Sequence, residues 1–234
     1  MAGAELASNR RRNADLPVRV ASAVVMLGLA GAALWIGGIW LDLFVGAVAA
    51  VTFGEFLSLA TKVFRGAARL VTIVLGALYI GLAGYFLVVM PAPMVAGVIL
   101  VVAFVDTFAY AFGRTLGGPK IAPRISPSKT WAGLLGGIVG ASLCIGGGAW
   151  LIERFVPDAS RAAHDPGGLV SIVALGLAVA VAAQSGDFLE SWLKRRAGVK
   201  DSSRLIPGHG GVFDRTDGII PVTLVVGALF VSAL

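Results

Sequence analysis

The chain has 234 residues, of which 57% are hydrophobic and only 14% charged, with a mean hydropathy of +0.89. Soluble domains carry about 25% charged residues, so this composition excludes an ordinary water-solvated globule. In such a chain the formal charge of +6 reads as membrane orientation and headgroup contact rather than nucleic-acid binding.

Residues 1–17, with "NRRRNADLP" at their end, read as a disordered cytoplasmic tail. Seven apolar runs follow, at 19–39, 41–60, 70–90, 92–112, 131–152, 168–189 and 218–234. Each approaches the ~20 residues that a spanning helix needs. The first run is too long for a signal-peptide core and a second span follows it directly, so it is retained as a helix. The expected fold is therefore an all-α polytopic membrane protein of about seven helices. Residues 18–112 form its N-terminal transmembrane part. Residues 113–234 form a C-terminal catalytic region with two polar loops, 113–130 and 191–217. The single cysteine, Cys144, lies in an apolar run and reads as packing.

Lys and Arg set the orientation. With the N-terminus in the cytoplasm, the inner segments hold Arg10, Arg11, Arg12 and Arg19, then Lys62, Arg65 and Arg69. The loop at 113–130 holds Arg114, Lys120, Arg124 and Lys129, and the loop at 191–217 holds Lys194, Arg195, Arg196, Lys200, Arg204 and Arg215. These are 17 of the 19 basic residues; only Arg154 and Arg161 fall outside. The C-terminus is then external and both polar loops are cytoplasmic. His164, in the outer loop 153–168, reads as solvated.

The acids point to the chemistry. A carboxylate at bilayer depth costs about 2.5–3.5 kcal/mol on insertion scales, so it has a partner or a task. Glu55 stands alone in its run and reads as an interhelical hydrogen bond. Asp106 and Tyr110 share a helix face and fit either a lined entrance or a buried pair. Asp187, Ser191 and Lys194 are spaced i, i+4, i+7 on one helical face. The loop after them ends in "PGHGGVFDRTD". Its glycines permit a turn whose amides cradle phosphate. Asp214 and Asp217 are three apart. Several carboxylates with one His suit a hard, oxygen-seeking ion such as Mg²⁺ rather than Zn²⁺. Carboxylates for metal, with Lys and Arg for phosphate oxygens, are the recipe for handling a nucleoside triphosphate. Neither a P-loop nor a Rossmann fingerprint is present.

Residues 191–217 resemble the signature of the phosphatidate cytidylyltransferases. Ser191, Lys194, Arg195, Lys200, Asp201, Pro207, His209, Gly210, Gly211, Asp214, Arg215 and Asp217 fill its fixed positions. "SPSKT" at 126–130 and the Gly186-Asp187 pair upstream fit as well. The resemblance implies transfer of the cytidylyl group of CTP to phosphatidate, giving CDP-diacylglycerol and pyrophosphate. It implies Asp187, Asp214 and Asp217 as metal ligands, with Ser191 beside them. Lys194, Arg195, Lys200 and Arg215 become phosphate contacts, and His209 shapes the turn or donates to pyrophosphate. Ser126, Lys129 and Thr130, with Gly210 and Gly211, complete the nucleotide site. Asp201 reads as an ion-pair partner only. The cofactor is Mg²⁺, with a second monovalent or divalent cation left open. The partners are CTP, phosphatidate and the bilayer, with no nucleic acid and a homodimer as an allowed assembly. The location is the bacterial inner membrane, with the site facing the cytoplasm. Two alternatives are another phospholipid-headgroup transferase and a secondary transporter of an anionic solute. The aspartates that a CDP-alcohol phosphotransferase would need after Asp217-Gly218 are missing from 219–234, and polar residues collect in loops rather than at midplane.

Overall fold

In lipid every backbone polar group must be satisfied within the segment, so apolar runs of this length fold as helices. The computed structural model describes residues 2–155 and 168–233. Its elements in chain order are α1 (Ala2–Ile36), α2 (Gly38–Val63), α3 (Gly66–Val89), α4 (Ala92–Thr115), β1 (Lys120–Ala122), β2 (Ser126–Thr130), α5 (Trp131–Phe155), α6 (Gly168–Arg196), α7 (Phe213–Thr216) and α8 (Ile219–Ser232). Among the described residues, six helices are long and apolar enough to cross a membrane. The chain is thus an all-α polytopic membrane protein with one small hairpin.

Three segments differ from expectation. The segment expected as a tail is helical from Ala2, continuous with the first span. The seventh apolar run forms a helix of only 14 residues, Ile219–Ser232, shorter than the six that can span. The loop at 113–130 contains an antiparallel strand pair, with Lys120 opposite Thr130 and Ala122 opposite Ser126. The outer-loop residues Arg161 and His164 lie outside the described residues.

The breaks between helices follow glycine and proline. Gly37 and Gly38 adopt φ of 66° and 53°, a left-handed conformation that residues with a Cβ resist. There α1 stops and α2 restarts. Pro91 caps the start of α4, where its missing N–H costs nothing.

The chain divides into two compact units, Met1–Val88 with Leu193–Thr216, and Val89–Trp192 with Asp217–Leu234. In the first, Phe56 of α2 lies across Gly76 of α3, where a Cβ would overlap its ring. Phe56 also meets Phe213 of α7 edge-on, with ring centroids 6.1 Å apart. Leu59 and Ala60 are fully buried beside it. In the second unit α4 and α5 make the main seam. A Cβ at Gly136 would lie 2.5 Å from the Phe108 carbonyl oxygen, and one at Gly140 would lie 2.6 Å from that of Phe104. Only small residues allow such backbone approach, which is how helices associate when lipid removes the hydrophobic drive between them. Val98, Val102, Val105, Ala141 and Ala180 fill this core, while Leu135, Leu143 and Leu177 face outward, as a lipid solvent permits.

Candidate active site

Most of the signature, Leu193–Thr216, belongs to the first unit. Helix α6 ends at "KRRAGV" in a Schellman cap. The Val199 amide donates to the Lys194 carbonyl (3.0 Å) and the Gly198 amide to that of Arg195 (3.3 Å), with Gly198 at φ 70°. Further on, Ile206-Pro207-Gly208-His209 forms a tight turn. Pro207 presets its first corner, Gly208 at φ 74° makes the second, and the His209 amide closes it on the Ile206 carbonyl at 3.0 Å. The Ile206 amide returns to Gly210 at 2.8 Å.

Two carboxylates hold the rest. Asp214 Oδ2 accepts from the Ser202 amide (2.9 Å), the Ser202 hydroxyl (2.8 Å) and the Gly211 amide (2.7 Å), and Oδ1 accepts from Lys194 Nζ at 2.6 Å. Glu55, reaching in from α2, accepts four more bonds. Oε1 takes the Ser203 hydroxyl (2.6 Å) and the Val212 amide (3.1 Å). Oε2 takes the Ser202 hydroxyl (2.9 Å) and the Phe213 amide (2.7 Å). The amides of 211, 212 and 213 are the free donors at the start of α7, and all three are taken by these acids. The turn expected to offer its amides to phosphate therefore turns Gly211 inward, and the Gly210 amide goes to the Ile206 carbonyl at 3.1 Å. The basic side chains Arg195, Lys200 and Arg215 remain exposed, with Arg215 donating to the His209 carbonyl at 2.9 Å.

The second unit assembles the other half of the residue set. "SPSKT" is strand β2. Thr130 caps α5 by accepting from the Gly133 amide at 3.0 Å, and Ser126 and Thr130 are buried. Lys129 between them pairs with Asp187 of α6. Ser191, one turn along α6, donates to Asp187 Oδ1 at 3.3 Å. At Gly186 a Cβ would overlap the Asp217 carbonyl oxygen, so this glycine sets the chain at Asp187 directly against that at Asp217. Asp217 Oδ1 accepts from the Gly218 amide at 2.9 Å. Asp187 keeps 29% of its side chain exposed, which leaves it open to a ligand from solvent. On α4, Tyr110 is exposed and accepts from Arg114 at 3.1 Å.

The donors suit a hard cation: Asp187 and Asp217 supply carboxylate oxygens and Ser191 a hydroxyl, and Asp187 already attracts an ammonium. Among the described residues, neither unit gathers three His, Cys, Asp or Glu side chains into a closed cage. Mg²⁺ does not need one, since it keeps several waters and binds through one or two carboxylates plus substrate phosphates.

Sequence reasoning missed Glu55 as an anchor of the signature loop, and Ser202 and Ser203 as its partners. The signal was there: an acid in an apolar run requires donors, and "DSSR" is a cluster of them.

Residues 91–233 match the profile of the cytidylyltransferase family. The phosphatidate cytidylyltransferase of Brucella abortus biovar 1 (strain 9-941) is 44% identical over 128 residues, covering 53% of this chain and 43% of the relative. The protein of that name from Rickettsia bellii (strain RML369-C) is 40% identical over 129 residues, 54% of each chain. That from Rickettsia conorii (strain ATCC VR-613 / Malish 7) is 38% identical over 121 residues, 52% of this chain and 50% of the relative. The matches span about half the length of these curated relatives.

Proposed function

This chain belongs to the cytidylyltransferase family, and from that premise we propose that it transfers the cytidylyl group of CTP to phosphatidate. The products are CDP-diacylglycerol and pyrophosphate. The observation that carries the reading is the filled signature at 191–217, inside the region matched by the family profile. The 17-to-2 split of basic residues supports a site facing the cytoplasm, and the bacterial relatives support placement in a bacterial inner membrane.

The chemistry follows from the substrates. The lipid phosphate is a monoester with a second pKa near ~6, so one of its oxygens attacks the α-phosphorus of CTP without a general base. The bond from α-phosphorus to the β-phosphate bridging oxygen breaks, and pyrophosphate leaves with that electron pair. The difficulty is bringing two polyanions together in line. Arg195, Lys200 and Arg215 neutralise phosphate oxygens. Lys129, on a strand fixed by its buried neighbours, pairs with Asp187 and holds that carboxylate in place. Lys194, Ser202 and Gly211 fix Asp214, and Asp214 with Glu55 keeps the loop that carries His209 and Arg215 in one conformation. Asp187 and Asp217, with Ser191 beside them, would hold Mg²⁺, which when bound supplies charge neutralisation on the phosphates.

The test is direct. Purified protein in detergent micelles is given α-labelled CTP, phosphatidate and Mg²⁺. We expect the label in the organic phase only when phosphatidate is present. Folded protein that leaves the lipid unlabelled would overturn the assignment.

A further inference from the structure

The first unit contains a cavity of about 380 Å³ beside the signature turn. Four cationic side chains line it, Arg19, Lys200, Arg204 and Arg215, against one carboxylate, Asp201. His209 lines it too, and its Nδ1 is buried with no hydrogen-bond partner among the described residues. Three of the four cations come from the loop at 191–217. Arg19 does not: it comes from α1, 72 residues before the family match begins at residue 91.

Arg19 is held in this cavity by two features. Ser22, one turn further on the same face of α1, donates to the Pro207 carbonyl at 2.9 Å. Arg19 itself crosses Gly208, where a Cβ would stand 2.6 Å from its Cγ. The Pro207-Gly208 corner is therefore both the support for α1 and the bed for the Arg19 stem. A cluster of four cations with little opposing charge repels itself, and phosphate oxyanions compensate it well. Guanidinium forks match phosphate oxygens in pairs.

We propose that Arg19 completes a phosphate-binding pocket with Lys200, Arg204, Arg215 and His209, and so acts as a substrate-binding residue supplied from outside the family-matched region. The inference rests on the transferase reading for its assay. Its ligand chemistry is a phosphate dianion or polyphosphate, and both substrates carry one: the triphosphate of CTP and the monoester of phosphatidate.

The experiment uses the full chain with Arg19→Gln and Arg19→Lys. KM for CTP, KM for phosphatidate, Ki for pyrophosphate and kcat are measured for each. We expect Arg19→Gln to raise one KM about tenfold with kcat nearly unchanged, as for loss of an interaction made equally to bound substrate and transition state. Arg19→Lys keeps the charge without the fork and should recover part of the loss. A rise for CTP together with the pyrophosphate Ki assigns the pocket to the nucleotide, and a rise for phosphatidate alone assigns it to the lipid headgroup. Should Arg19→Gln fail to fold, Arg19→Lys is read instead, with about a threefold rise expected in the same constant. Unchanged constants, or a fall in kcat alone with a lower unfolding midpoint, would overturn the proposal. If wild type turns over no CTP, calorimetric binding of inorganic pyrophosphate and of short-chain phosphatidate replaces the kinetics. Binding of either that Arg19→Gln weakens keeps the pocket without the synthase, and binding that is equal in both proteins, or absent from both, removes it.

Discussion

The Glu55 carboxylate accepts the Phe213 amide at 2.7 Å across 158 residues of sequence, and this one contact ties the second helix to the loop that carries the family signature. Each Glu55 oxygen takes one hydroxyl and one backbone N–H. Hydroxyls can rotate to suit a new partner, but amides cannot. Glu55→Gln would therefore turn an NH₂ group toward either Val212 or Phe213 and leave a buried amide unpaired, at about 1–3 kcal/mol. We expect a lower thermal unfolding midpoint and at least about a tenfold loss of turnover, and a larger loss for Glu55→Ala. Wild-type values for both quantities in Glu55→Gln would show that the anchor is dispensable.

Lys194 and Arg195 are neighbours in sequence with opposite surroundings. Lys194 is 15% exposed and bonded to a 6% exposed Asp214, whereas Arg195 is exposed. Removing one partner of a buried pair leaves an uncompensated charge and costs up to about 3–5 kcal/mol, reduced here by the three other donors on Asp214. Lys194→Met should lower the unfolding midpoint and turnover together. Arg195→Gln should leave the midpoint unchanged and raise KM for CTP. The assignment fails if the two variants behave alike in differential scanning fluorimetry.

Orientation is testable with thiols. In a Cys144→Ser background, Ser128→Cys on the exposed face of β2 should react with an impermeant maleimide only from the cytoplasmic side of membrane vesicles. Glu153→Cys, exposed near the end of α5, should react only from the opposite side. Labelling of both from one face contradicts the arrangement inferred from the basic residues.

The helical scaffold was legible because each apolar run is near the length a bilayer demands, and the Gly37-Gly38 and Pro91 breaks are written in residue type. The signature residues were legible as a motif, but their division of labour was not. Nothing in "HGGVFD" says that the Gly211 amide faces Asp214 rather than a phosphate, because that depends on where a distant acid lies. Glu55 sits 147 residues from Ser202 and looked isolated only along the chain. Lys129 likewise meets Asp187 through the fold; proximity in sequence gave no hint of it. The strand pair at 120–130 was hidden by its prolines and by the lack of apolar alternation, since the buried positions of β2 are the polar Ser126 and Thr130.

The carboxylates give the sharpest division of roles. Asp187 is part-exposed, bonded to Lys129 and Ser191, and set against the chain at Asp217 by Gly186. Asp214 accepts from Lys194 and the Ser202 and Gly211 amides, and shares the Ser202 hydroxyl proton with Glu55. Asn preserves size and removes charge, so it tests ion binding rather than packing. Asp187→Asn and Asp217→Asn should each reduce turnover by about 10²–10³-fold, the scale seen when one preorganised transition-state contact is removed. Raising Mg²⁺ should recover part of that loss, because a weakened site is filled by mass action, and the unfolding midpoints should stay near wild type. Asp214→Asn should lose as much activity, recover none of it with Mg²⁺, and unfold at a lower temperature, since its NH₂ would face either the Ser202 and Gly211 amides or the Lys194 ammonium. Initial rates across an Mg²⁺ titration, with unfolding midpoints on the same samples, separate the two behaviours. Near-normal turnover of Asp187→Asn and Asp217→Asn at limiting Mg²⁺ would remove these residues as ligands and leave the phosphate chemistry to Lys and Arg. Recovery of Asp214→Asn by Mg²⁺ would instead add Asp214 to the ion's ligands and reduce its part in holding the loop.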